Sequence, residues 1–485
     1  MAGLTVAVAG ASGFIGRALC TRLTTEHTVV ALSRSAGTGA DGVTRRRCDL
    51  FSLLDCERAL AGVDVAVYLV HSMMPSARLT QASFADMDLI LADNFARAAK
   101  RMGVRQIVYL GGIVPESSEA LSAHLASRVE VEQALAAHGV PVTTLRASLV
   151  IGPDGSSFRI LQRLVQRLPV MLLPTWTRSS CQPIYVDDVV ELLAGVCGAD
   201  FALGETFDIG GPEVLSYRAL LGRTAHALGR TPRYLPVPFF SPELSRLWVT
   251  LVTGTSRQLV GPLVSSLRHP MVARDLRLQE RLGLPGLPLD EALRRAVQAT
   301  QYASPKGASP PARRRASEAT VNTVRSVQRL PLPTGRDAIW AAAEYMTWLP
   351  RAMRPFLQVT VSEAGLVRFC VLGLPTSLLE LAWSRERSLP DRTLLYVVGG
   401  ALARITEGHR GRLEFRVVLG GRYLVAAVHE LVPNLPWPVY NATQALAHLW
   451  VMRAFGRHLA RRAEAEEREH RMVRQLGRLI DVPEG

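Results

Sequence analysis

The chain begins with an apolar run that meets three regularly spaced glycines. Residues 4–16 have the sequence Leu-Thr-Val-Ala-Val-Ala-Gly-Ala-Ser-Gly-Phe-Ile-Gly, and a helical pattern follows them. The run predicts a buried parallel strand, and the glycines predict a tight turn into a helix. Gly10 permits the turn, Gly13 allows a pyrophosphate close to the backbone, and Gly16 lets the helix pack on the strand. Because a helix N-terminus attracts phosphates, the segment predicts dinucleotide binding, with a purely structural glycine turn as the alternative.

Strand-like and helical patterns alternate through the first 150 residues. The predicted strands are 4–9, 27–33, 43–48, 63–70, 106–111 and 142–147. The predicted helices are 14–25, 52–61, 84–102 and 118–138. This alternation predicts an α/β fold with a doubly wound, parallel Rossmann sheet. The ligand is then expected at the carboxyl ends of the strands.

Residues in the glycine turn and at the strand ends are predicted to bind the cofactor. They are Gly10, Ser12, Gly13, Phe14, Ile15, Gly16, Ser33, Arg34, Asp49, Leu50, Val70, His71 and Gly111. After the second strand, an enzyme that uses NAD would usually have an acid to bind the ribose 2′-OH, but Ser33 and Arg34 stand there. Because an arginine suits a 2′-phosphate, NADP is favoured over NAD.

Two of these residues also have a structural interpretation. Asp49 could accept a hydrogen bond from the adenine amino group, or it could cap the helix predicted at 52–61. His71 lies where the cofactor ribose and nicotinamide would pass, although a single histidine there is as often structural.

The charge of the chain is carried almost entirely by arginine. The net charge is +14, and Lys100 and Lys306 are the only lysines. The arginines are scattered, so a GC-rich codon bias is favoured over a surface for nucleic acid or anionic lipid. We expect no nucleic-acid partner, because no nucleic-acid-binding signature is present.

Six dispersed cysteines without a CxxC pair indicate free thiols in a reducing compartment. No signal peptide or membrane span is predicted, so we expect a cytoplasmic protein.

Roughly residues 1–300 resemble the extended or atypical branch of the short-chain dehydrogenase/reductase superfamily. The resemblance rests on Gly10, Gly13 and Gly16, on the segment 142–190 with Ile-Gly-Pro and Pro183-Ile-Tyr-Val-Asp-Asp-Val189, and on Phe207-Asp-Ile-Gly-Gly-Pro212. Within that branch the chain is most similar to NmrA-like or complex I subunit-like NAD(P)-binding proteins. The resemblance implies a Rossmann domain that binds NAD(P).

The catalytic residues of that family are replaced in this chain. Active members have a serine at the end of the fifth strand and Tyr-x-x-x-Lys on the next helix, whereas this chain has Gly111-Gly112, then His124 and Arg128. The i,i+4 spacing places His124 and Arg128 on one helical face. His124 could act in general acid–base catalysis because its ordinary pKa is near 6.5, and the permanently charged Arg128 could bind a ribose hydroxyl. The alternatives are a helix that keeps only cofactor binding, and Tyr109 or Tyr185 as substitute proton donors.

Residues 151–302 are expected to face the substrate. Leu161, Leu164, Val165 and Leu168 have helical spacing, and 169–174 is predicted to be a loop. Trp176 could form an apolar substrate wall or belong to the core. Asp187 and Asp188 are expected to cap a helix from Val189; they have no clustered partners, so no metal site is predicted.

A second architecture is predicted after a flexible linker at 303–324, which is rich in proline, small residues and arginine. Residues 325–462 contain a predicted helix at 336–348, strand-like runs at 356–362, 365–372, 376–382, 393–401, 412–419 and 422–430, and a long helix at 438–462. The apolar stripe of that helix is predicted to be Leu446, Leu449, Met452, Phe455 and Leu459. Residues 463–485 are predicted to form a charged tail, and the helical spacing of its charges over 461–475 predicts a solvated helix there.

Residues 325–462 resemble the helix-grip fold of the START and polyketide-cyclase type. That resemblance implies an α+β domain that holds an apolar ligand beneath its last helix; a filled core is the alternative.

Three functions follow from these features. The first is an NADP-dependent oxidoreductase that acts on a small apolar carbonyl, enone or quinone-like substrate, with His124 or water as the proton source. The second is a non-catalytic sensor or scaffold that binds NADP(H), which the missing Ser-Tyr-Lys set favours. Sugar-nucleotide epimerisation or dehydration is weaker, because family members with that activity normally keep the tyrosine and lysine. The sequence leaves the oligomeric state open.

Overall fold

The computed structural model describes residues 3–34, 42–71, 79–115, 121–237, 268–302, 323–406 and 411–480. These residues form two units. The first contains the described residues up to 71 and those from 88 to 302, and the second contains 79–87 and those from 323 onwards. The linker predicted at 303–324 lies outside the described residues except for its last two positions.

The chain up to residue 237 contains fourteen strands among its described residues. They are β1 (Thr5–Ala9), β2 (Thr28–Ser33), β3 (Val43–Arg47), β4 (Val65–Tyr68), β5 (Leu79–Gln81), β6 (Gln106–Gly112), β7 (Val142–Ala147), β8 (Val150–Ile151), β9 (Val170–Pro174), β10 (Ser180–Cys181), β11 (Ile184–Tyr185), β12 (Thr206–Ile209), β13 (Leu215–Ser216) and β14 (Arg233–Val237). The first unit is built on a sheet with the order β12-β7-β6-β4-β1-β2-β3, in which every pair is parallel. This confirms the predicted doubly wound α/β fold.

Helices connect these strands. They are α1 (Phe14–Leu23), α2 (Leu53–Leu60), α3 (Phe84–Arg101), α4 (Ala123–Ala136), α5 (Ser156–Arg167), α6 (Val186–Val196), α7 (Tyr217–Ala227), α8 (Arg277–Leu282) and α9 (Leu289–Tyr302). One continuous apolar core includes side chains from the central strands and from α1, α5, α6, α7 and α9. Strand order changes direction between β1 and β4, and in open parallel sheets ligands bind at the carboxyl edge beside such a point.

Two local expectations for the first unit were wrong. The loop predicted at 169–174 is strand β9, which pairs in parallel with β14. Asp187 and Asp188 do not cap a helix that starts at Val189, because α6 already begins at Val186 and its N-cap residue, Tyr185, makes no side-chain capping bond. The Asp188 carboxylate instead accepts a hydrogen bond from the Leu287 amide at 2.8 Å, and so anchors a loop almost a hundred residues away.

The second unit is an antiparallel sheet with helices on one face. Its strands are β5, β15 (Val324–Pro331), β16 (Leu357–Val361), β17 (Leu366–Val371), β18 (Ser377–Trp383), β19 (Arg392–Gly399), β20 (Arg412–Val418) and β21 (Tyr423–Leu431). The order is β16-β17-β18-β19-β20-β21-β15-β5, with only β15 and β5 parallel. The six strands predicted between 356 and 430 are present, whereas β15 begins inside the predicted linker.

The segment 79–87 was not anticipated in this unit, because it interrupts the Rossmann sequence between β4 and α3. Its strand β5 forms the edge of the second sheet. The Gln328 amide donates to the Gln81 carbonyl at 2.7 Å, and Arg329 pairs with Asp86 at 2.7 Å. These contacts give the short segment a place in the second sheet.

Helices α10 (Ala338–Ala352), α11 (Trp437–Ala442) and α12 (Gln444–Ile480) complete the second unit. Tyr345 of α10 and Phe455 of α12 pack edge to face at 5.1 Å, in a buried apolar cluster with the inner face of the sheet. One detail of the predicted final helix was wrong, because Leu446 is 58% exposed and does not belong to the apolar stripe. The helix predicted over 461–475 is present as the continuation of α12, which ends at Ile480.

The sheet of the second unit carries a buried charged group at the positions that alternate with its inner, apolar face. Glu414, which is 2% exposed, accepts hydrogen bonds from Arg392 at 2.6 Å and from Arg416 at 2.8 Å. Although burial alone would raise the pKa of Glu414, these arginines hold it well below its usual range. None of the helices in the described ranges is long and apolar enough to cross a membrane.

Candidate functional site

The glycine turn closes the carboxyl end of β1 as predicted. Gly10 has a φ of +87°, and its carbonyl accepts a hydrogen bond from the Gly13 amide at 2.8 Å. A Cβ atom at Gly16 would lie 2.2 Å from the Gly10 carbonyl oxygen, and one at Gly10 would lie 2.7 Å from the carbonyl oxygen of Leu69. Only glycine fits at these two positions, so backbone and helix approach closely, as a bound pyrophosphate requires.

The N-terminus of α1 follows this turn directly. No described side chain caps the helix, and its first turn contains no acidic residue. Ser12 and Ile15 therefore flank amides that suit a phosphate. The ring of Phe14 lies beside Gly152, because a Cβ atom built at Gly152 would be 2.3 Å from the Phe14 Cζ atom.

The other predicted cofactor residues lie at the carboxyl ends of neighbouring strands. Ser33 is the last residue of β2 and Arg34 follows it. Asp49 and Leu50 follow β3, Val70 and His71 follow β4, and Gly111 is the second-last residue of β6. Hydrogen bonds join these ends, including the Cys48 amide to the Ser33 carbonyl at 2.7 Å and the Leu69 amide to the Ala9 carbonyl at 3.0 Å. The strand order thus gathers them on one edge of the sheet, with the Arg34 side chain exposed.

Asp49 does not cap α2. The N-cap is Ser52, whose hydroxyl accepts from the Asp55 amide at 3.3 Å. The Asp49 carboxylate instead accepts from the Phe51 amide at 3.1 Å, in the loop that leads into the helix. The capping interpretation of Asp49 was therefore wrong, and its carboxylate lies in the strand-end loop.

Four charged or titratable side chains meet at this edge, and we call them the His–Asp–Arg cluster: His71, Asp88, His124 and Arg128. The His71 Nδ1 atom lies 2.8 Å from the Asp88 Oδ2 atom. Arg128 contacts the same histidine nitrogen through Nη2 and lies 3.5 Å from Asp88 Oδ2. The rings of His71 and His124 have their centroids 5.3 Å apart.

Burial controls the electrostatics of the cluster. The Asp88 side chain is 1% exposed and that of Arg128 is 11% exposed. Burial lowers the pKa of Arg128 to about 10, with Tyr68 opposing the shift, and it lowers the pKa of His124 against the opposing charge of Asp88. Burial also raises the pKa of Tyr68 well above its usual range. At neutral pH, Arg128 is charged and His124 is neutral.

Several polar atoms of this region are buried without a hydrogen-bond partner among the described residues. They are Tyr68 Oη, His71 Nε2, His124 Nδ1, Arg128 Nε and Ser148 Oγ. Buried polar groups are normally hydrogen-bonded, and leaving one unpaired costs on the order of 1–3 kcal/mol. A polar ligand at this edge would give these atoms partners.

Tyr109 and Tyr185, the substitute proton donors, are less available for proton transfer. The Tyr109 hydroxyl donates to the Arg128 carbonyl at 3.3 Å, and burial raises its pKa well above the usual range. Tyr185 is 7% exposed and precedes α6. Trp176 packs edge to face on Tyr217 at 6.2 Å and contacts the main apolar core, which favours its core interpretation.

Sequence reasoning missed Tyr68 and Asp88. Tyr68 ends an apolar strand and was grouped with its neighbours, while Asp88 precedes the apolar run Leu89-Ile90-Leu91 of α3. An acid directly before the apolar run of α3 was the available signal, because acids are seldom fully buried unless they are paired. No group of three or more metal-ligating side chains occurs among the described residues.

Comparisons with known proteins agree with this geometry. Residues 6–210 match the NAD dependent epimerase/dehydratase family. The auxiliary protein GraX of Staphylococcus aureus is 31% identical over 144 residues, which are 29% of this chain and 42% of GraX. Subunit 9 of the NADH dehydrogenase [ubiquinone] 1 alpha subcomplex of Arabidopsis thaliana is 24% identical over 251 residues, covering 49% of this chain and 61% of that protein. The chain therefore matches less than two thirds of the length of either relative.

A nucleoside-diphosphate-sugar epimerase from Staphylococcus aureus has a similar structure. The TM-score is 0.50 at 16% sequence identity, and the match covers 60% of this chain and all of that one. This likeness concerns the fold alone. Together with the family match over residues 6–210, it agrees with the Rossmann-type parallel sheet of the first unit.

Proposed function

We propose that this chain, whose residues 6–210 match the epimerase/dehydratase family, is an NADP-dependent oxidoreductase that reduces a small apolar carbonyl or quinone-like substrate. The observation that carries the proposal is the position of the His–Asp–Arg cluster at the same sheet edge as the glycine turn. A cofactor held by the turn would extend along this edge, where the unpartnered buried polar atoms lie.

The chain has groups that fit such a cofactor. The cradle at Gly10 and Gly16 admits no Cβ, and the N-terminus of α1 would hold the pyrophosphate. The exposed Arg34 suits the 2′-phosphate of NADP better than the 2′-hydroxyl of NAD. When bound, the cofactor supplies a hydride, and the protein contributes position, charge and a proton.

An apolar cluster that includes the residue after His124 supports the choice of an apolar substrate. Beside it on α4, Leu125 packs with Ile113 and Met271, and Leu121 lies against this group. A substrate that presents one polar oxygen to the cluster and an apolar body to these side chains would satisfy both environments. Carbonyl compounds, enones and quinones have this character.

Two measurements test the proposal. Titration of cofactor fluorescence should give tighter binding of NADPH than of NADH, and NADPH oxidation should depend on an added quinone or enone. Equal affinity for the two cofactors would contradict the preference for NADP. Absence of binding for both would exclude a nicotinamide-dependent function.

A second function is a sensor or scaffold that binds NADP(H) without turnover. It is favoured by the glycines at 111 and 112 and by His124 and Arg128 in place of tyrosine and lysine. Tight NADPH binding with no oxidation by any acceptor would support it. Epimerisation or dehydration of a sugar nucleotide remains weaker for the same reason.

For the second unit, we keep the helix-grip resemblance and its apolar ligand as a proposal, since the order of strands and the long last helix agree with that fold. Native mass spectrometry after gentle purification would detect such a ligand.

We also propose a reducing, cytoplasmic location, because all six cysteines are free and five of them are buried.

A further inference from the structure

We propose that His71, oriented by Asp88, is the proton donor to the substrate oxygen, and that His124 is not. The inference rests on the proposed oxidoreductase function and assigns a role within the same site. It rests on the geometry of two histidines that lie side by side, of which one contacts a carboxylate.

The contact with Asp88 selects the tautomer of His71. The Nδ1 atom lies 2.8 Å from Asp88 Oδ2, and a carboxylate can only accept, so Nδ1 carries the hydrogen. The Nε2 atom then faces away from Asp88, buried and without a hydrogen-bond partner among the described residues. A carboxylate that fixes the tautomer and orientation of a histidine leaves its other nitrogen ready to accept and donate a proton.

Arg128 completes this arrangement. It approaches both His71 Nδ1 and Asp88 Oδ2 through Nη2. Because an arginine nitrogen and a protonated Nδ1 are both donors, the acceptor that they share is the Asp88 carboxylate. Arg128 thus compensates the buried Asp88 carboxylate, which in turn holds the His71 ring in place through the Nδ1 contact.

His124 lacks such support. Its Nδ1 atom has no partner among the described residues, and burial lowers its pKa, so it stays neutral at pH 7. A neutral imidazole can form a hydrogen bond with a substrate oxygen but has no second proton to release readily. Its position beside His71 suits substrate orientation.

The groups that surround His71 come from four elements. Asp88 belongs to α3, His124 and Arg128 belong to α4, Tyr68 ends β4, and Tyr109 of β6 reaches the Arg128 carbonyl. Tyr68 and Tyr109 stay neutral, since burial raises their pKa values. The charged groups that contact His71 among the described residues are therefore Asp88 and Arg128.

In the proposed step, His71 supplies the proton that completes reduction of the substrate carbonyl. The substrate C=O double bond becomes a C–O single bond when the carbonyl carbon gains a hydride, which leaves the oxygen with the electron pair. The protonated Nε2 atom of His71 gives its proton to that oxygen, so an alcohol forms and His71 becomes neutral. The oxidised cofactor and the alcohol are the products, and His71 regains its proton from solvent.

Kinetics of three variants test this assignment. The substitution His71→Asn should lower kcat by about 100-fold or more, the range for loss of a general acid, while the NADPH dissociation constant changes little. His124→Asn should lower kcat by less than about tenfold and act mainly on KM.

The control is His138→Asn, because His138 pairs with Asp93 at 2.7 Å in a similar contact outside the site, and it should leave kcat unchanged. The pH dependence of kcat should lose one ionisation in His71→Asn and keep it in both other variants.

Nitrogen NMR of ¹⁵N-histidine-labelled protein supplies a readout independent of turnover. In the wild-type protein without substrate, neutral His71 should be the Nδ1–H tautomer, and Asp88→Asn should redistribute the proton towards Nε2. A wild-type Nε2–H tautomer would overturn the proposal even if Asp88→Asn fails to fold. An active wild-type enzyme with unchanged kcat in His71→Asn, or with a larger loss in His124→Asn, would overturn the assignment of the proton donor alone. A wild-type protein that binds no NADPH, or oxidises none, would overturn the proposed function and the catalytic role of His71 with it.

Discussion

Asp88 of α3 and His71 after β4 are 17 residues apart and are joined by a contact of 2.8 Å between Oδ2 and Nδ1. The carboxylate is almost completely buried and has Arg128 as its nearest described cation. A buried carboxylate is stable only when a positive charge and hydrogen bonds compensate it. The contact therefore links the stability of the first unit to the chemistry of its site.

We expect Asp88→Asn to lower the free energy of unfolding by about 3 kcal/mol, because it leaves Arg128 buried without its counter-charge. The double variant Asp88→Asn/Arg128→Met should recover most of that loss, since it removes both charges together. Urea denaturation of the wild type, both single variants and the double variant would measure this coupling. Additive losses would contradict it.

Gly16→Ala should weaken NADPH binding by roughly tenfold or more, as a displaced binding loop would. The new Cβ would lie 2.2 Å from the Gly10 carbonyl oxygen and 2.9 Å from the Ala11 Cα atom, so the turn must move. The matched control is Gly222→Ala in α7, whose nearest neighbour is the Tyr234 hydroxyl at 3.8 Å. Fluorescence titration of both variants checks the prediction, and equal NADPH affinities would refute it.

Arg34→Ala should weaken NADPH binding by roughly 10- to 100-fold and leave NADH binding unchanged, because only NADPH carries the 2′-phosphate. Arg45→Ala is the matched control, since Arg45 is exposed in the middle of β3 and away from the strand ends. The ratio of the two dissociation constants is the quantity to compare. A parallel loss for both cofactors would instead indicate a general electrostatic effect.

Acidification should destabilise the second unit through His448. Burial lowers its pKa from 6.5 to about 4, while Nε2 lies 3.0 Å from the Ser326 hydroxyl. The unfolded chain therefore binds more protons between these values, so stability is complete above pH 6.5 and falls as the pH drops towards 4, by about 3 kcal/mol. Thermal unfolding between pH 4 and 7 should show a shallower slope for His448→Gln than for the exposed control His470→Gln on the same helix. Identical slopes would show that His448 contributes nothing.

Phe455→Ala should lower the free energy of unfolding by about 3–5 kcal/mol, because it opens a cavity in the aromatic cluster of the second unit. The Phe455 ring is fully buried and lies 5.1 Å from the rings of Tyr345 and Trp348. Trp450→Ala on the same helix is the control, since Trp450 is 53% exposed and should change stability little. A small loss for Phe455→Ala, with an apolar compound bound in the variant, would indicate a site that tolerates ligands.

The fold followed from local patterns to a large extent. Apolar runs such as Thr5–Ala9 and Val65–Tyr68 are buried on both faces of the parallel sheet, which makes their strand character visible in the sequence. The i,i+4 spacing of His124 and Arg128 likewise predicted that they share a helical face, and both belong to the same polar cluster. Leu446 shows the limit of this approach, because helical spacing alone does not say where the sheet ends beneath the helix.

Other relationships depend on chain segments that are distant in sequence. The Asp188 carboxylate binds the Leu287 amide instead of capping its own helix, and residues 79–87 add an edge strand to the second sheet. Hydrogen bonds of this kind have no periodic signature, because they are satisfied only after the elements have packed.

The sequence by itself determined the glycine turn after β1, the alternation of strands and helices, and the replacement of the usual tyrosine and lysine by His124 and Arg128. These features are local, since glycine positions, apolar periodicity and residue identities act within a few turns of the chain. The tertiary structure decided that Asp88 meets His71 and Arg128, and that two histidines share one polar site. It did so because strand order and helix packing, which set the distances between β4, α3 and α4, arise only when the whole sheet has formed.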